Sequence, residues 1–202
     1  MYLMNVESLA VPAVILIFLS ASTLLGSRDW RICIAALALQ YLGITLLVGI
    51  HWPIEEAAVK LLAGWMAGAV LGLALISLHG EPEPYESLTI SYIMFRALLA
   101  VLAGLAAYSI GDSLVEWIPE IAPPQATGSL VLIGLGLLHL GLTTRPLRVT
   151  LGLLTVLGGF EILYAALESS ILVAGLLATI TLGLAMVGAY LMAAPSLEEV
   201  EE

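Results

Sequence analysis

Four ionisable side chains stand inside long apolar stretches of this chain: Lys60, Arg96, His139 and Glu161. A charge at the centre of a bilayer costs at least about 2.5–3.5 kcal/mol on insertion scales, so each needs a partner or a task. A carboxylate in such a setting either pairs with a cation or holds a proton. Glu161 is therefore the best candidate for a proton-carrying group, and Lys60 and Arg96 are the cations that could balance it. Imidazole exchanges a proton readily near neutral pH, which makes His139 a candidate relay; hydrogen bonding to backbone is its plainer role. No nucleophile–base set and no metal-ligand spacing appears, and neither cysteine clusters nor paired histidines are present to hold a redox centre. The sequence thus yields no catalytic residues, no metal site and no cofactor.

Spacing places each of these groups on a helix face. Thr150, Leu154, Leu157, Gly158, Glu161, Ala165 and Glu168 fall within about 50° of one line at roughly 100° per residue. Lys60, Gly64, Gly68 and Gly72 recur every four residues, a stripe that lets another helix approach closely. Arg96 shares a side with Ala100, Ala103, Gly104 and Ala107, a small-residue seam that marks contact with protein. Arg96 has a structural role open to it, in an ion pair or on backbone carbonyls. Lys60 lies about one turn from a span end and could also snorkel to water. The expectation is that Glu161 faces the interior and interacts with Arg96 or Lys60. A pairing with no further role is the bland alternative.

These faces require helices long enough to cross a membrane. The chain is 61% hydrophobic and 11% charged, with mean hydropathy +1.08, outside the soluble globular range. About 20 residues are needed per crossing, and seven spans fit: 8–26, 32–51, 57–79, 88–111, 126–144, 147–167 and 169–193. The fold class expected is all-α, a polytopic membrane helix bundle forming one integral-membrane domain over 1–202. The first span, featureless apart from Pro12, reads as lipid-facing or peripheral. Gln40, in the second, reads as an interhelical hydrogen bond. No basic region precedes the first span, so no signal peptide is expected. One cysteine, Cys33, excludes an internal disulfide. Six scattered Lys and Arg residues, against a net charge of −10, give no nucleic-acid footprint.

Arg28 and Arg31 lie in the first loop, and Arg145 and Arg148 in the fifth. Seven spans put both loops on one side, which the positive-inside rule makes cytoplasmic, leaving the N-terminus outside a cell (inner) membrane. Glu55, Glu56 and the 112–120 loop with Trp117 then lie outside, that loop including a segment at the interface. Glu81, Glu83, Glu86 and the EEVEE tail lie inside.

The run from Ala126 to Ala165, ATGSLVLIGLGLLHLGLTTRPLRVTLGLLTVLGGFEILYA, resembles component E of hydrogenase-4 type complexes. It is more distantly similar to the K-type subunit of respiratory complex I and the C-type subunit of multisubunit cation/proton antiporters. The shared pattern is a Gly-rich helix, a turn with two arginines (here Arg145 and Arg148), then Arg-x-x-x-Gly (Arg148 and Gly152) opening a helix with a buried Glu. The Lys60 region, AAVKLLAGWM, resembles a membrane-embedded lysine segment of component E. The chain departs from the pattern in two ways. Its arginines are three residues apart rather than four, and Leu154 and Leu157 occupy the family carboxylate positions. Glu161 lies one to two turns deeper on the same face: either the carboxylate has moved along the helix, or Glu161 is unrelated to it.

The resemblance implies a non-catalytic membrane subunit of a hydrogenase-like or NADH:quinone oxidoreductase-like ion-translocating complex. Such a subunit bridges antiporter-like and redox-linked parts and supplies buried charges to a proton path. Its partners would be other multi-span subunits and the lipid bilayer. A self-contained small transporter or channel is the alternative, although no matched interrupted helices indicate inverted repeats. An intramembrane enzyme is the third class and has no residue set to support it.

Overall fold

The computed structural model describes residues 2–78 and 90–201, with side chains described from 9 to 194. Glu81, Glu83, Glu86, the first two residues of the expected 88–111 span and the side chains of the acidic tail lie outside the described residues. Seven helices follow in order: α1 Tyr2–Gly26, α2 Trp30–Val48, α3 Ile54–Ser77, α4 Ile90–Trp117, α5 Pro123–Gly141, α6 Pro146–Leu167 and α7 Ile171–Glu201. Each contains a stretch long and apolar enough to cross a membrane. Among the described residues there is no strand, and the protein is an all-helical, multi-pass membrane protein.

Local chemistry sets the breaks. Asp29 caps α2, its carboxylate accepting from the Arg31 amide at 2.9 Å, which satisfies one of the amides orphaned at a helix start. Pro123 and Pro146 open α5 and α6, where a missing N–H costs nothing. Glu55 and Glu56 occupy the first turn of α3, where negative charge complements the helix dipole.

The central helices are α2 and α6. The former packs against α1, α3, α5 and α6; the latter packs against α5, α7 and α2. Of the α6 span 61% is buried inside the bundle, against 17% for α4, which rests on α5 and α1 at the edge. α4 and α7 therefore offer most of their surface to lipid or to other protein.

Two sequence expectations change. The first span is not peripheral: α1 packs against α2, α4 and α5 with Ala13 and Ile17 fully buried. Glycines on its neighbours make the room. A Cβ at Gly43 would stand 2.6 Å from Ile17 Cγ1, a residue-to-residue fit that hydropathy does not encode. The expected 112–120 loop is largely helix, since α4 continues to Trp117. Twenty-eight residues make about 42 Å at 1.5 Å each, longer than a hydrocarbon core of about 30 Å. The last turns of α4 thus extend past the core, and Trp117 is 84% exposed there, as interfacial tryptophans are.

Candidate functional site

α2, α3, α6 and α7 each contribute one polar side chain to a junction inside the bundle. Lys60 lies six residues into α3, and Glu161 lies six residues before the end of α6. Because the two helices run in opposite directions, both residues sit about 9 Å from the same end. There the Lys60 ammonium donates to Glu161 Oε1 at 2.8 Å, with the side chains 1% and 0% exposed. The expected interior carboxylate therefore exists, and its partner is Lys60. Two ions so enclosed have lost their hydration, and their attraction offsets that loss only while both remain.

The second carboxylate oxygen, Glu161 Oε2, is buried and has no hydrogen-bond partner. Nor has the hydroxyl of Tyr41, contributed by α2 and fully buried. The Thr181 hydroxyl of α7 lies beside both groups, but its own hydrogen bond runs to the Leu177 carbonyl at 3.0 Å. Buried polar atoms without partners are few in native proteins, and two of them converge on one ion pair here.

Glycine places the tyrosine. Gly64 lies one turn beyond Lys60 on α3, and a side chain there would overlap the Tyr41 ring. The rest of the expected glycine stripe is not used in this way. Gly68 makes ordinary contacts with Ile34 and Leu37, and nothing lies within 4 Å of a Cβ at Gly72. The stripe is thus a seat for one aromatic ring rather than a continuous close-packing face.

Six residues before Glu161 on α6, Gln40 Nε2 donates to Thr155 Oγ1 at 3.3 Å, and Thr155 donates to the Leu151 carbonyl at 2.8 Å. Gln40 makes the interhelical bond expected of it. Between that pair and Glu161 the contacts at Gly158 are apolar. Ile44 and Leu132 are fully buried there, and the space of an absent side chain at Gly158 is filled by Ile44, whose Cδ1 lies 2.5 Å from where the Cβ would be.

Arg96 is not part of this junction. It is buried at the opposite end of the bundle, on the seam with Ala100 and Ala107, and donates to the Leu25 carbonyl in the last turn of α1. Its guanidinium stacks 4.4 Å from the centre of the Tyr92 ring, and Arg28 lies 4.6 Å from the same ring. Arg148 donates to the Ser27 carbonyl just beyond α1. Arg96 and Arg148 thus fasten the end of α1 to α4 and α6, the carbonyl-capping role open to Arg96 from its sequence. Cations at a helix C-terminus also complement its dipole. Arg145 stands at the N-cap position of α6, without a side-chain capping bond, and is exposed.

His139, in the last turn of α5, is buried with Nε2 unpartnered and lies in the field of Arg148 and Arg96. It belongs to the arginine end. Of the four candidates, then, the fold joins Lys60 to Glu161 and sets Arg96 and His139 apart from them.

Sequence reasoning assigned no site role to Tyr41 or Thr181. The one available signal was Gly64 in register with Lys60, which marks a large side chain arriving beside the lysine.

No known family model, curated protein or solved structure matches this chain.

Proposed function

We propose that this chain is a non-catalytic membrane subunit of a hydrogenase-like or NADH:quinone oxidoreductase-like ion-translocating complex, and that its Lys60–Glu161 pair belongs to a proton path. The observation that carries the reading is a fully buried carboxylate with one oxygen bonded to an ammonium and the other uncommitted. Such a group has a lone pair to receive a proton. On protonation it becomes neutral, and Lys60 is left as the uncompensated charge. The protonation of Glu161 and the electrostatics of Lys60 are therefore coupled, which is what a relay of charge through a membrane requires. The resemblance of the Ala126–Ala165 and Lys60 segments to component E supports the same reading. In it the arginine end faces the cytoplasm across a cell (inner) membrane, and the exposed faces of α4 and α7 meet lipid and neighbouring multi-span subunits.

Glu161→Gln tests this. It preserves shape and hydrogen bonding while removing the titratable proton. The parent complex should assemble normally and pump ions less. Wild-type pumping by that variant would make the glutamate structural and the subunit a scaffold.

A further inference from the structure

A third buried oxygen without a partner lies on the same helix as the lysine. Glu56 Oε2 is enclosed and unbonded, although the residue as a whole is half-buried, on the first turn of α3. Glu56 and Lys60 are four residues apart, so their side chains stand one above the other on one helix face. A glutamate one turn N-terminal to a lysine is the favourable order for attraction. Glu56 is thus turned inward, towards the face that carries the Lys60–Glu161 pair, and lies between it and the end of the bundle where α3 begins.

On the other side of the pair the way is closed. Gln40 donates to Thr155, which donates to the Leu151 carbonyl, and Ile44 and Leu132 fill the space at Gly158 between them and Glu161. The unpartnered oxygens of Tyr41 and Glu161 lie at the pair, beside Thr181, and that of Glu56 lies on the turn of α3 that precedes Lys60. An ordered water needs two to four polar partners, and Glu161, Tyr41 and Thr181 can supply them at the pair.

We infer that Glu56 is the entrance to the buried pair: water and protons reach Lys60 and Glu161 past the Glu56 carboxylate, from the α3 N-terminal end and not from the arginine end. A proton arriving from bulk water converts the Glu161 carboxylate to a neutral carboxyl. The Glu56 carboxylate, one turn away, then balances the ammonium that Glu161 no longer neutralises. Among the described residues, the titratable and charged groups at this end of α2, α3 and α6 are Tyr41 from α2, His51 between α2 and α3, Glu55 and Glu56 from α3, Tyr164 from α6, and Glu168 just beyond it. The route rests on the proposed proton-path role of Glu161 and adds the side from which that residue is served.

Lys60 is the only lysine in the chain, so labelling with ¹⁵N-lysine gives one side-chain ammonium signal. Its exchange with water can be followed by solid-state NMR on the full chain in lipid bilayers. Glu56→Gln should slow exchange by about tenfold, the effect of removing one charged hydrogen-bonding station. Glu55→Gln, on the exposed side of the same turn, and Thr155→Val, towards the arginine end, should leave the rate unchanged. Equal slowing by Glu55→Gln and Glu56→Gln would reduce the effect to surface charge and overturn the inference. So would a rate that responds to Thr155→Val but not to Glu56→Gln. If Glu56→Gln leaves exchange at the wild-type rate while Glu161→Gln stops pumping, the route fails and the proton-path role stands. If exchange follows the expected pattern but Glu161→Gln pumps normally, the route stands and the role fails.

Discussion

Gly64 and Tyr41 fit one another so closely that a methyl group on the glycine would occupy the tyrosine ring. The ring in turn brings its hydroxyl to the neighbourhood of Glu161 and Thr181. One missing Cβ on α3 thus helps to shape the environment of a carboxylate on α6.

Gly64→Ala should therefore disturb more than its size suggests. Overpacking a filled interior costs about 1–3 kcal/mol, and the ring has no free direction among α2, α3 and α7. We expect a lower thermal midpoint in detergent, partly recovered by adding Tyr41→Leu, which removes the overlapping atoms. A Gly64→Ala variant as stable as wild type would show that the ring can relocate freely.

The ion pair predicts a non-additive result. Glu161→Leu alone leaves the Lys60 ammonium buried and unpaired, which costs on the order of 3–5 kcal/mol, and should impair folding and assembly. Replacing both partners, Lys60→Met with Glu161→Leu, should restore most of that stability, since apolar replacement of a whole buried pair is often neutral or better. The measurement is a double-mutant cycle of unfolding in mixed micelles. Additive losses would mean that the two side chains do not depend on one another.

Topology gives a third expectation. Ser27 and Thr144 sit at the arginine end, and Ser113 lies towards the far end of α4. Single cysteines at Ser27 and Thr144, in a Cys33→Ser background, should react with an impermeant reagent from the same side of the membrane. A cysteine at Ser113 should react from the opposite side. The orientation proposed from the positive-inside rule puts the Ser27 side in the cytoplasm. Labelling of Ser27 and Thr144 from opposite faces would contradict the span count; labelling of both from outside would reverse the orientation alone.

A fourth expectation follows from the proposed role as a subunit. The purified chain in liposomes should carry no ion flux, and mild detergent extraction should bring multi-span partners with it. Robust pH-dependent flux by the isolated chain would instead favour a self-contained transporter.

The amino-acid sequence alone determined the class of the molecule, because the bilayer imposes a length and a composition on every crossing and leaves few alternatives. Seven apolar runs near 20 residues could be counted directly. The depth of Glu161 and its inward direction were also legible, since an unpartnered charge cannot face lipid cheaply. Partner choice was not. Lys60 and Arg96 carry the same charge on similar small-residue faces, and both lay within reach by level alone. Only the packing order, with α3 against α2 and α7 while α4 rests on α1 and α5, gave Glu161 to Lys60 and Arg96 to the end of α1. The burial of α1 and the seat for Tyr41 were likewise settled by side-chain fits such as Ile17 over Gly43. Fits of that kind depend on which helix stands beside which, and periodicity along one chain segment holds no record of its neighbours.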